Sequence, residues 1–181
     1  MAGKERIAEG DFRHYAFSAQ EVLEGIEGFI RMVGYALQPP LAVGRWRADF
    51  HGKRHADQTT YQAVGVVRET IDQVPEAFEV LKGIKGALGK EVDYAVVLPP
   101  INEYLLLEFL TGDKGKWYFD IKAEEFMLWM HNPDEETTWC FVGWPLDRQF
   151  ENYFVLSRFP VDSALHMQLS RQLLLEEEEE E

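Results

Sequence analysis

The sequence is poor in cysteine, in positive charge and in long apolar runs, and each shortage removes a class of protein. Cys140 is the single cysteine, so an intrachain disulfide and a cysteine-built zinc or iron–sulfur centre are both excluded. Lys and Arg number 18 against 32 Asp and Glu, for a net charge of −14. Such a field repels phosphate backbones and argues against nucleic acid as a ligand. The longest apolar stretches, such as Ala95 to Leu98 and Leu105 to Leu107, are too short to cross a bilayer. The charged start, Met1 to Arg6, is not followed by the apolar run of a secretion signal. A cytoplasmic protein with no membrane span is therefore expected. Also missing are a Gly-rich phosphate loop, a G-x-S-x-G elbow, an H-E-x-x-H helix and a dinucleotide fingerprint.

What is present suffices for a core. Hydrophobic residues make up 46% and aromatics 13% of 181 residues, enough apolar surface for one domain to offset chain entropy unaided. Glu176 to Glu181 form an all-glutamate end, whose like charges repel and bury nothing; without them the remainder carries about −8. The expected organisation is a single domain over 1–175, with an irregular arm at 1–17, followed by an acidic disordered tail at 176–181.

Ser18-Ala19-Gln20-Glu21 reads as a capping box, and Val22, Ile26, Phe29, Ile30 and Val33 follow at helical spacing. The pattern predicts a helix from Ser18 to about Leu37, stopped by Gln38-Pro39-Pro40. Leu41 to Phe50 and Thr59 to Ile71 read as the strands of a hairpin, with His51 to Gln58 as its polar loop. A second helix is expected over about 74–88, with Pro75 near its start and Gly89 past its end. Val92 to Leu98 has the pattern of a buried strand. A short helix over Asn102 to Thr111 is then expected. Lys116 to Lys122, Glu125 to His131 and Thr137 to Gly143 read as an aromatic-rich antiparallel meander. Leu146 to Leu156 has a helical pattern, as does a last helix at about Asp162 to Leu175. The fold class is thus α+β: a mostly antiparallel sheet of about five to six strands, packed by helices on one face, with a C-terminal helix.

Three groups of residues bear on chemistry. Asp49, His51, His55 and Asp57 fall within nine residues, and imidazole with carboxylate ligates divalent metals. Lys53 and Arg54 stand between the histidines and oppose a cation, so a charged hairpin loop is the leading reading and no cofactor is expected. Asp93 at a strand start, with Asp120-Ile121-Lys122 inside another predicted strand, forms the second group. This pattern resembles the acidic and acidic-x-Lys arrangement of restriction-endonuclease-like nucleases; the resemblance implies Mg²⁺-assisted phosphodiester hydrolysis and rests on Asp93, Asp120 and Lys122 alone. The helix expected between the strands and the acidic body both depart from it. The third group is Trp117, Trp129, Trp139 and Trp144, which furnish either core or a recognition face. Cys140, flanked by Trp139 and Phe141, reads as an inert buried thiol.

The leading expectation is a non-catalytic interaction, regulatory or assembly protein, with an acidic surface, an aromatic recognition face and a basic protein as partner. A small-molecule-binding domain is the second reading and a metal-dependent nuclease the third.

Overall fold

Ser18 caps the first helix as its sequence predicts: its Oγ accepts from the Glu21 amide at 3.2 Å, and α1 runs Ala19–Val33. The computed structural model describes residues 17–100 and 116–155, of which 116–118 are described as backbone only. Helix α1 ends earlier than the Leu37 expected, at Gly34, whose amide bonds back to the Arg31 and Ile30 carbonyls. Local capping stops the helix before the Pro39-Pro40 barrier is reached. Its buried stripe is Val22, Ile26, Phe29, Ile30 and Val33. At roughly 1.5–3 kcal/mol for each large apolar side chain, this stripe fixes which face of α1 meets the sheet.

The strands are β1 (Ala36–Leu37), β2 (Ala42–Val43), β3 (Trp46–Arg47), β4 (Phe50–Ala56), β5 (Thr59–Val67), β6 (Asp93–Leu98), β7 (Met127–Asn132) and β8 (Thr137–Val142). Six form one sheet in the order β1-β4-β5-β6-β7-β8, while β2 and β3 pair separately. The architecture is α+β. Three of the five pairings in the large sheet are antiparallel, and β5-β6-β7 run parallel. Parallel neighbours need a crossover, supplied between β5 and β6 by α2 (Val74–Leu88).

Two expectations change here. His51 to Gln58 is not a loop: most of it is β4, paired with β5 from Phe50↔Gly65 to Ala56↔Thr59. Its polar residues belong to one arm of a hairpin, and within the segment Asp57, at φ 54°, takes the left-handed turn conformation. Lys116 to Lys122 is not a strand but α3 (Lys116–Ala123). Ile121, fully buried, and the Phe126 amide bonding back to the Ile121 carbonyl tie this helix into the fold.

Helices cover both faces of the sheet rather than one. Tyr94, Val96 and Leu98 of β6 pack with Ile84 and Leu81 of α2 and with Ile121 of α3. Ala95 and Val97 of the same strand pack with Ile26, Phe29 and Ile30 of α1. All six residues of β6 are buried, and after Asp93 the strand is an unbroken apolar run from Tyr94 to Leu98 instead of an alternation. Of Leu146 to Leu156, expected as helical, the described part, 146–155, has a 3-10 turn over Arg148–Asn152 and no α-helix, with Phe150 buried under α1. The N-terminal arm, the helix at Asn102 to Thr111, the C-terminal helix and the glutamate tail all lie outside the described residues. Among the described residues no helix is long and apolar enough to cross a membrane.

Candidate functional site

The segment that leaves β8 carries Trp144, at 82% exposure the most exposed large hydrophobic side chain among the described residues, and, two positions on, Leu146 at 53%. Gly143 makes the exit possible: its φ is 82°, and a Cβ there would collide with the Phe126 carbonyl. Beside Trp144 is a hollow of about 340 Å³ lined also by Lys90, Val92, Lys122 and Leu146.

Beneath this loop the backbone is pinned by buried carboxylates. Asp93, at the first position of β6, accepts from the Leu146 amide (Oδ1, 2.6 Å) and the Asp147 amide (Oδ2, 3.1 Å). Asp147 in turn accepts from the Tyr35 hydroxyl at 2.7 Å, from Arg54 Nε at 2.7 Å and Nη2, and from the Gln149 amide at 3.0 Å. The last of these caps the 3-10 turn. Arg54 also lies over the Tyr61 ring, 4.8 Å from its centroid.

The electrostatics follow from this wiring. Burial pushes Asp93 up to about 6, against the lowering effect of its two amide donors, and the charge of Asp147 adds to the rise. Burial also acts against the charge of Asp147, yet Arg54, Tyr35 and the Gln149 amide together hold it below the ordinary carboxylate range. The hydrogen bond to Asp147 holds Arg54 protonated, and burial raises the Tyr35 phenol. Cys140 on β8 is pushed up to about 12 by burial and by the charge of Asp93, which leaves an unreactive thiol.

The sequence-selected residues divide as follows. Trp129 and Trp139 are core, on opposite faces of the sheet; Trp144 is exposed; the Trp117 side chain lies outside the described residues. Asp93 is 4% exposed with both oxygens engaged by the loop. Asp120 and Lys122 belong to α3, so the neighbouring-strand arrangement read from the sequence is absent. His51 Nε2 lies 2.9 Å from Gln62 Oε1, and His55 Nδ1 lies 2.8 Å from Thr60 Oγ1, each paired across to β5. Asp49 accepts from the Val67 amide and from Arg68, and Asp57 forms the hairpin turn. Among the described residues no three His, Cys, Asp or Glu side chains are placed to hold a metal ion. Tyr35, Arg54 and Asp147 were missed. Their isolation in sequence hides them, and Arg54 stands in the polar run His51-Gly52-Lys53-Arg54-His55, which carries no local sign of a buried carboxylate partner.

No family model matches the chain, and no curated protein matches it. Among solved structures the chain is similar to an XisH family protein from Nostoc punctiforme, at 9% identity and a TM-score of 0.48, over 68% of this chain and 99% of that one. It is also similar to a fdxN element excision controlling factor protein from Anabaena variabilis, at 10% identity and a TM-score of 0.45, over 66% of this chain and 96% of that one.

Proposed function

We propose that this protein is a non-catalytic interaction module whose contact face centres on Trp144 and Leu146, and whose partner is a basic protein. The supporting observation is the exposure of Trp144 on a backbone tied down by Asp93. A large aromatic ring held on a braced loop loses little entropy on docking, which is the property of an interface anchor. The acidic body favours a basic partner through long-range attraction, which speeds encounter, while the buried ring sets residence time.

The test is capture of partners from the source cell with the full chain, followed by binding kinetics. Trp144→Ala should raise the off-rate by the equivalent of about 2 kcal/mol. Raising ionic strength from about 0.05 to 0.5 M should slow association and leave dissociation nearly unchanged. A partner held equally well by the Trp144→Ala protein overturns the reading. A second reading, a small-molecule-binding domain, draws on the hollow beside Trp144, whose 340 Å³ falls within the range of ligand sites. Quenching of Trp144 fluorescence by a small molecule, with no protein captured, would move that reading ahead.

A further inference from the structure

The turn after α2, the end of α3 and the segment after β8 meet at one end of the sheet, around the hollow of about 340 Å³ beside Trp144. Charges of both signs line it: Lys90 and Lys122 stand with Glu125, although the chain as a whole carries −14. Glu125 reaches this place through a left-handed backbone, φ 61°, just past the end of α3. Among the described residues neither Lys90 nor Glu125 has an ion-pair partner. Phe119, one turn before Lys122 on the same side of α3, is 67% exposed and adds apolar surface to that of Trp144 and Leu146.

Three properties of this face suit a second copy of the chain. An exposed ring and a hollow larger than an indole lie side by side, and a two-fold axis between two such faces sends each ring into the hollow of the other. Aromatic anchors in an interface tend to meet their like across it, and here Trp144 itself forms part of the hollow wall. The rim is also self-complementary, since the same rotation pairs Lys90 of one copy with Glu125 of the other, twice over. Because this rim is of mixed sign, it is a place where two acidic bodies approach with reduced repulsion.

We propose that the Trp144 face, when no other protein occupies it, is covered by the same face of a second copy, in a two-fold dimer with Trp144 of each copy in the hollow of the other. This arrangement rests on the reading of Trp144 as a contact anchor and gives that anchor a regulation: the chain's own concentration decides how much of the face is open. A contact of a few side chains from each copy belongs to the small, transient class, below roughly 1,200 Å² of buried surface. The dimer therefore forms at about 10–100 μM and opens on dilution or when a partner competes.

Sedimentation equilibrium of the full chain from about 5 to 500 μM, at about 0.05 and 0.5 M salt, tests this. The expected result is a monomer–dimer equilibrium that tightens at the higher salt, because screening relieves the repulsion between two acidic bodies. A basic partner responds to salt in the opposite sense, so the two contacts are told apart in one buffer series. Trp144→Ala should weaken the dimer at least about ten-fold. Lys90→Glu and Glu125→Lys should each weaken it, since every substitution counts twice in a two-fold contact, and the chain carrying both should recover the parent affinity at the parent net charge. A monomer at about 500 μM in both salts overturns the proposal, as does a dimer that Trp144→Ala leaves intact. Tightening by Glu125→Lys also overturns it, because overall charge would then govern the association. A strictly monomeric chain that captures a Trp144-dependent basic partner overturns the dimer alone, whereas a Trp144-dependent dimer with no partner captured overturns the basic-partner reading alone.

Discussion

The two faces of the sheet are covered by helices of equal length, α1 and α2 at 15 residues each, yet they are built on different principles. Under α2 the packing is apolar: Val64, Val66, Val96, Leu98, Leu128 and Met130 meet Phe78, Leu81 and Ile84. Its buried groups without partners, Trp139 Nε1 and Thr137 Oγ1, are neutral. Under α1 a comparable core around Phe29, Trp129 and Phe150 is bordered by ionisable groups, namely Arg54, Asp93 and Asp147 at one end and His131 at the other. The apolar face gains stability wherever the side chains fit. The charged face gains it only when the segment after β8 returns to one register, so its polar contacts select where the Trp144 loop and the following 3-10 turn dock.

The sharpest way to break this contrast is to remove a single partner from the charged face. Arg54→Ala leaves Asp147 buried beside Asp93 and should destabilise by about 3–5 kcal/mol in urea unfolding, whereas Arg54→Met combined with Asp147→Leu should recover most of the loss. A double variant as unstable as the single one would mean that Arg54 acts through packing and not charge. On the other face, Leu81→Ala, at a fully buried site, should lose about 2–5 kcal/mol through the cavity alone. That loss should be independent of pH.

The charged face should show opposite pH responses from its two ends. Asp93 stands raised to about 6 in the fold, above its ordinary value, so folding favours its protonated form and stability falls as pH rises from 5 to 7, by about 1 kcal/mol. His131 stands lowered to about 4, so folding favours its neutral form and stability falls as pH drops from 7 to 5, by about 2 kcal/mol. The two effects partly cancel in the intact protein. Asp93→Asn should expose the full acid-side loss, and His131→Gln should leave a protein that becomes more stable toward pH 5. Identical stability–pH slopes in the two variants would refute the assignment. The smallest effect belongs to Trp144→Ala, which should stay within about 0.5 kcal/mol of the parent, because the ring buries little.

Much of the framework was legible before any coordinates. The Ser18 cap and the stripe from Val22 to Val33 specify α1; Pro75 and Gly89 bracket α2; the run Val92 to Leu98 marks the buried central strand; and Asn132, whose side chain accepts from the Asp134 amide at 3.0 Å, marks the turn between β7 and β8. These signals are local, since caps, turns and periodicity depend on neighbours a few residues away. The misread segments are those where tertiary context outweighs local pattern. Aromatic-rich Lys116 to Lys122 looks like a strand but forms α3, with Ile121 buried against α2, and the polar arm of β4 is held as strand by its full pairing with β5. The direction of β6 and β7, and hence the use of both faces, depends on where the crossovers run. Assembly of the charged site is more distant still: Tyr35 and Asp147 are 112 residues apart, Arg54 and Asp147 are 93 apart, and Asp93 reaches an amide 54 positions on. Composition sets the acidic field and the size of the core by simple summation over residues, but which of many scattered carboxylates becomes buried is decided only when the chain after β8 folds back beneath α1.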